Sequence, residues 1–449
     1  MLDVADILGG AWDDAAARRF ATVDRLYSPG HRHGWVAMAD GLPPIGGWPR
    51  LHLLAGVPCG ERLLFVDLET TGLAGGAGTQ AFLVGCAWFD GGTFRVRQFL
   101  LTSPRGERAM LEAVARLAGE SDAVVTYNGK SFDLPLIETR YLFQRMQTPF
   151  AGKPHVDMLH AARRLWRSDA RGGERGGGRG ERGHIRREGS GDGLGDGRGR
   201  HAPAGFGLND GGNSSSSGCR LSELERTLCG HEREGDVPGF EIPGRYFHYI
   251  RTGDPSSLSD VLEHNRLDLV SLALLTSRAA QLLDAGPSGA GSAREAYGLG
   301  RLYERGGLSA EAQESFALAS GIDQWADDAW TRAEALRALA ALARRERRHE
   351  DAAQAWRAAL ALHRCPAPIA REAAEALAVH HEHRLRDPRT AHRFALRSLE
   401  GQENRVRRQA AERRVARLCR KLGPIPVTPD VPVLPELGRS TRCAEDDRG

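Results

Sequence analysis

The stretch LLFVDLETTGL, residues 63–73, drives an apolar run into two acids, Asp67 and Glu69. In an extended strand residues i and i+2 share a face, so the two carboxylates project together. Like charges that close resist ionising together, and either a cation between them or a proton on one must relieve the repulsion. Two more acids are placed to join them. Asp133 follows an Asn-Gly turn in YNGKSFDLPLIE, and Asp268 stands four residues after His264 in EHNRLDLVSL. On a helix that spacing puts His264 and Asp268 on one face, a turn apart. Four hard oxygen donors suit Mg²⁺ or Mn²⁺. Taken singly, each residue has a plainer reading. Asp133 sits where a helix N-cap belongs, His264 reads as a hydrogen-bonded helix histidine, and Asp268 as an exposed acid or a partner of Arg266. Asp157, in HVDMLHAARRLW, reads as an N-cap.

Stepping outward, LLFVDLE, QAFLVGCAWFD and FRVRQFLL read as three successive strands separated by Gly-rich turns. RAMLEAVARLAGE has helical periodicity, AVVTYN is a short buried strand, and LPLIETRYLFQRM is another helix. Residues 1–59, rich in Gly and Pro toward their end, read as an irregular extension with one or two short helices. An α/β domain is expected over 60–285, closing with the long helix in SDVLEHNRLDLVSLALLTSRAAQLL. It is interrupted at 169–218 by a Gly/Arg/Ser-rich insertion with too little apolar surface to fold, expected to be disordered. That insertion is either a solvated surface loop or an Arg-Gly segment that helps hold nucleic acid. After DAGPSGAGS, residues 292–422 read as helical throughout. Leu299, Gly300 and Tyr303 on one helix and Ala312, Phe316 and Ala319 on the next resemble a tetratricopeptide repeat. Ala352, Trp356 and Ala359 repeat the pattern more weakly and Ala391 marks a faint third copy; a plain helical bundle is the alternative. Residues 423–449 read as a loose tail.

The chain's 449 residues exceed one ordinary core. A net charge of +3 permits nucleic acid as a partner without arguing for it. The seven cysteines are scattered without a CxxC pair, which disfavours a disulfide framework or a structural zinc site. The N-terminus MLDVADILGGAWDD lacks the basic start of a secretory signal and no apolar run reaches spanning length, so a cytoplasmic protein is expected.

Taken in order, Asp-x-Glu on a first strand, Asn128-x₃-Phe132-Asp133, and His264-x₃-Asp268 resemble the three sequence blocks of the DEDD exonuclease superfamily. Flanking text such as TYNGKSFDLPLIETRY, RLSELERTLCG and DVPGFEIPGRYFHYIRTGD is similar to the bacterial YprB-like family within it. The resemblance covers about 60–285 outside the insertion. It implies an α/β, ribonuclease-H-like fold with a mixed five-stranded sheet and flanking helices, followed by the all-α region. It further implies two divalent cations, Mg²⁺ or Mn²⁺, held by Asp67, Glu69, Asp133 and Asp268, and hydrolysis of nucleic-acid phosphodiesters from a single-stranded 3′ end. Thr70, Thr71, Gly72 and Leu73 would contact the terminal nucleotide, with Asn128 beside them. His264 would act as general base or orient the attacking water. Its spacing departs from the family: one subgroup has a tyrosine four residues before the last Asp, the other a histidine five before it. One residue of shift turns a helical side chain by about 100°. Lys130, Arg140, Arg163, Arg164 and Arg167 are candidates for phosphate contacts. The helical region would bind a protein partner or extend the nucleic-acid track. The rival reading is a scaffold that binds nucleic acid with catalysis lost.

Overall fold

A computed structural model of the chain describes residues 4–13, 19–72, 78–167, 219–321 and 328–423. These fall into two compact units divided between Glu346 and Arg347. The expectations for the 169–218 insertion, for Leu73 and for residues 424–449 of the tail lie outside the described residues.

The first unit opens with α1 (Val4–Ile7), β1 (Ala11–Trp12), β2 (Ala21–Tyr27), a small hairpin of β3 (Arg32–His33) and β4 (Val36–Ala37), and α2 (His52–Ala55). Then come β5 (Leu63–Thr70), β6 (Ala81–Asp90), β7 (Thr93–Leu100), α3 (Glu107–Gly119), β8 (Ala123–Thr126), α4 (Asp133–Phe143), β9 (His155–Asp157) and α5 (Met158–Leu165). Beyond residue 218, α6 (Leu221–Leu224) runs into a π-helical turn at Glu225–Cys229, followed by α7 (Ile242–Thr252) and α8 (Leu258–Ala285). Helices α9 (Ala293–Arg305), α10 (Ser309–Ser320) and α11 (Ala329–Arg345) complete the unit.

The strands form one sheet in the order β1-β2-β7-β6-β5-β8-β9. Strand β6 is antiparallel to β5 and β7, whereas β8 and β9 run parallel to β5. The middle of the sheet is thus the mixed five-stranded arrangement expected, but the sheet has seven strands. The two extra ones come from the segment read as irregular: β2 pairs with β7 along its whole length, from Ala21 opposite Leu100 to Tyr27 opposite Phe94.

Alternation along β5 explains why its acids emerge where they do. Leu63 and Phe65 pack into one core cluster, and Leu64, Val66 and Leu68 into the cluster on the opposite face. Asp67 and Glu69 continue the first series where the strand runs out of that core. Helix α8 touches the second cluster with Leu258, Val261 and Leu262, and the first from Leu269 onward. Its middle turns, residues 264–268, therefore meet the sheet beside the end of β5.

The compact-unit boundary differs from the break expected near residue 292. Leu299, Leu302, Tyr303, Ala312 and Phe316 belong to the same apolar cluster as Phe65 and the C-terminal half of α8. The Gly/Ser/Pro linker is short, and α9 seals the core instead of starting a separate one. Gly300 lies under Phe316, whose ring stands 2.5 Å from where a Cβ would be. The second unit comprises α12 (His349–Ala361), α13 (Ala367–His383), α14 (Pro388–Leu399) and α15 (Arg405–Leu422). It has a small core of its own around Ala378, Ala391, Ala395 and Leu418.

Candidate active site

Four acids from three elements converge: Asp67 and Glu69 at the end of β5, Asp133 at the first position of α4, and Asp268 in the middle of α8. Asp67 is held by Asn265, whose Nδ2 donates to Asp67 Oδ2 at 2.8 Å. Gln98 Nε2 in turn donates to Asn265 Oδ1 at 2.9 Å and to the Leu262 carbonyl at 2.8 Å. Opposite Asp67 in the β5–β6 register is Gly85, and a Cβ there would stand 2.2 Å from Asn265 Oδ1. A side chain on β6 at that position would push α8 off the sheet. The register shifts between Glu69 and Thr70, a bulge that bends the strand just past the acids.

Asp133 makes no side-chain capping bond, so the plainer reading of it as an N-cap does not hold. Asp157 does cap: it accepts from the Leu159 N–H at 3.1 Å. The same buried carboxylate accepts from the Asn128 N–H at 2.8 Å and the Lys130 N–H at 3.0 Å. It thereby clamps the turn that leads into Asp133, with Asn128 in the left-handed region at φ 66°.

Asp268 pairs with Arg233, not Arg266. Arg233 Nη2 lies 2.6 Å from Asp268 Oδ1, while its Nε and Nη1 reach Glu225 at 2.6 Å and Asp236 at 3.2 Å. Arg266 is engaged instead by Glu263 and Tyr27. His264 Nδ1 is 2.6 Å from Asp236 Oδ1, and its Nε2 is 3.7 Å from Asp268 Oδ2. The histidine thus does stand a turn from Asp268 on the same helical face, oriented by a carboxylate on its far nitrogen.

The electrostatics are those of a crowded anionic site. Burial, then the charges of Asp268, Glu69 and Asp133, raise the Asp67 carboxyl well above its ordinary range, opposed by the Asn265 hydrogen bond. Glu69 is raised likewise by burial and by Asp268, Asp133 and Asp236. Asp133 is pushed up to about 7 by burial, then Asp157 and Asp268, although a helix N-terminus by itself favours the anion. The charges acting on these three are all acidic, so the site is short of positive charge, and acceptor-only oxygens fit a hard divalent cation. Among the described residues no three of the four acids bring oxygens within 4.8 Å of one another.

A cleft of about 660 Å³ adjoins the acids, lined by Glu69, Asp133 and His264 together with the apolar Phe132, Leu136 and Pro243. Thr70 and Gly72 also line it. The Thr70 hydroxyl donates to the Gly72 carbonyl at 3.0 Å, and Thr71 exchanges two bonds with Gln80, each 2.9 Å long. Of the basic candidates, Arg140 is not available to phosphate: it is buried against Glu107, with contacts of 2.6 and 2.7 Å. Arg163 and Arg164 ride on α5, which packs on α9. Lys130 is exposed at the turn. Arg233, Asp236, Glu225, Asn265 and Gln98 escaped the sequence reading. Only Asn265, inside the EHNRLD block, carried a signal in its spacing from Asp268.

Residues 64–174 and 208–280 match a family model of the RNase_H superfamily, RNase_H_2. The uncharacterized protein YprB of Bacillus subtilis (strain 168) is 30% identical over 253 residues, 55% of this chain and 49% of that protein. The chain thus spans about half the length of this curated relative. Among solved structures, the family B DNA polymerase of the hyperthermophilic archaeon Pyrobaculum calidifontis aligns at 12% identity with a TM-score of 0.31, over 56% of this chain and 29% of that one. Sheet order, the matched segments and the resemblance to YprB agree: the sheet-bearing part of this chain has the ribonuclease-H-like fold.

Proposed function

We propose that the chain is a divalent-metal-dependent nuclease of the DEDD type, a 3′→5′ exonuclease acting on a single-stranded end. The observation that carries this reading is the convergence of Asp67, Glu69, Asp133 and Asp268 beside the end of β5, with the first three carboxyls raised by burial and then by the neighbouring acids. A surface meant only to bind phosphates gains nothing from four clustered acids. In the proposed assignment these four residues hold two cations, Mg²⁺ or Mn²⁺. Such a pair, when bound, supplies a nucleophilic water at neutral pH and stabilises the leaving 3′-oxygen.

The chain's own residues have distinct tasks. Asn265 and Gln98 fix the Asp67 carboxylate, and Arg233 restrains one oxygen of Asp268 while leaving the other toward His264. His264, with Asp236 on Nδ1, presents Nε2 toward the acids, where it can accept the proton of an attacking water or orient it. Thr70, Thr71, Gly72, Leu73 and Asn128 would meet the terminal nucleotide, and the apolar wall of the cleft would receive its base. Repeat-like helices in the C-terminal half would take a protein partner or extend the track, in a cytoplasmic setting. The scaffold reading is favoured only by the position of His264.

The need for a free end is tested by incubating a linear oligonucleotide and a covalently closed circle of the same sequence with the protein and Mn²⁺. An exonuclease degrades the linear strand to nucleoside monophosphates and leaves the circle intact. Nicking of the circle at a comparable rate would sink the exonuclease assignment.

A further inference from the structure

Away from the acids, three side chains of metal-ligand type meet from separate parts of the chain. His33 Nε2 lies 2.7 Å from Glu225 Oε1, and His231 Nε2 lies 4.0 Å from the same oxygen. The two imidazoles are stacked, with centroids 4.0 Å apart and planes 23° from parallel. All three ligand atoms fall within 4.8 Å of one another, and among the described residues no other three His, Cys, Asp or Glu do so.

The meeting is built into the backbone. The β3–β4 hairpin that carries His33 is pressed onto the turn that carries Glu225 and leads to His231. A Cβ on Gly34, at φ 63°, would stand 2.1 Å from the Cys229 carbonyl oxygen, and one on Gly230, at φ 66°, would stand 1.9 Å from the Trp35 ring. Only glycine meets both demands. Trp35 stitches the contact, its N–H donating to the Cys229 carbonyl at 2.8 Å and its indole to the Leu228 carbonyl at 3.1 Å.

Hydrogen bonding accounts for part of this cluster. Oε1 of Glu225 receives His33 and, at 2.8 Å, the Ser271 hydroxyl, while Oε2 receives Arg233 at 2.6 Å. It does not account for His231, which turns Nε2 toward the same carboxylate from beyond hydrogen-bond range. We propose that His33, Glu225 and His231 bind one borderline transition-metal dication of the Zn²⁺ class, with the fourth position open to the adjoining cleft. Two imidazoles and one carboxylate are a donor set this class prefers, unlike the all-oxygen acids of the nuclease site. Ligands at ~2.1 Å from a tetrahedral ion stand roughly 3.4 Å apart, so the short contact opens by about 0.7 Å and the long one closes by about 0.6 Å. Ser271 and Arg233 remain as outer partners that orient the carboxylate. Arg233 occupies the other oxygen, and its charge is shared with Asp236 and Asp268. The cleft, of about 530 Å³, is lined by His33, His231, Arg233 and Asp236 among others, leaving room for a water or an anionic ligand on the ion.

The test uses full-length protein stripped with chelator and titrated with Co²⁺, whose visible absorption reports coordination, then with Zn²⁺ in competition. The same titration on Asp67→Ala protein excludes ions held by the nuclease acids. The expected result is an N/O-type Co²⁺ band in both proteins, displaced by one equivalent of Zn²⁺. Affinity should fall at least ~100-fold in His231→Ala, since even outer partners of metal ligands are worth 10–100-fold. His231 is 28% exposed and outside hydrogen-bond range of Glu225, so this variant keeps its fold, with a circular-dichroism melt as control. Absence of the band, or a band undiminished in His231→Ala, overturns the proposal. So does Zn²⁺ binding that is lost in Asp67→Ala but kept in His231→Ala.

Discussion

Arg233, at 6% side-chain exposure, stands between Glu225, Asp236 and Asp268, with its nitrogens 2.6 to 3.2 Å from all three carboxylates. Glu225 is fully buried, so replacing Arg233 by Met strips its Oε2 of the guanidinium partner and leaves only His33 and Ser271 on Oε1. A loss of about 3–5 kcal/mol in urea unfolding is expected. Asp67 behaves in the opposite sense. Its carboxyl is raised by burial and by three neighbouring acids, so removing the charge relieves the metal-free protein. Asp67→Asn should raise the melting temperature in EDTA by about 2–4 °C, the equivalent of ~1 kcal/mol in a domain this size. The same variant should lose the stabilisation that Mn²⁺ gives the wild type, read from thermal melts with and without the ion. The acids themselves were legible: strand period ties Asp67 to Glu69, and helix period ties His264 to Asp268. Arg233 was not, because its role depends on bringing it to Asp268, 35 residues onward, through a turn with no periodic signal.

Among elements, the closest approach is that of α8 to β6. With Asn265 Oδ1 at 2.2 Å and a Leu269 methyl at 2.8 Å from a Cβ built on Gly85, alanine cannot be accommodated unless the helix shifts. Gly85→Ala is expected to cost about 1–3 kcal/mol by overpacking. Because Asn265 also holds Asp67, it should weaken Mn²⁺-linked stabilisation as well, which a plain surface change would leave alone. The central strands announced themselves by apolar runs; β2 did not. ATVDRLY buries only alternate residues at its start and then exposes three in a row. Its partner β7 lies some seventy residues later, so pairing and not local pattern makes it a strand. The bulge after Glu69 was equally silent, since it is defined by register with a neighbour.

For the molecule as a whole, the Gly/Ser/Pro linker after residue 285 follows the end of α8, and α9 beyond it packs into the first core, whose compact unit runs on to Glu346. The second unit offers its own acid test. Glu382, at 1% side-chain exposure, accepts from Arg417 at 2.7 and 2.9 Å and from Lys421 at 2.8 Å, and these bonds pull its pKa down to about 2. A depressed carboxyl stabilises the fold fully above the unfolded value near 4.5 and loses that contribution as pH falls toward 2. An acid titration followed by circular dichroism should therefore show, for Glu382→Gln, about one proton less of pH dependence between those limits than for the wild type. No helix among the described residues is long and apolar enough to cross a membrane. The central claim is that the four converging acids cut nucleic acid with metal. It is tested most directly with 5′-labelled single-stranded RNA and DNA in Mn²⁺, Mg²⁺ or EDTA, using wild-type and Asp67→Ala protein purified side by side. The account predicts a ladder shortening from the 3′ end that needs the metal and vanishes in the variant. Cleavage of equal strength in the variant, or none of either polymer by the wild type, would contradict it.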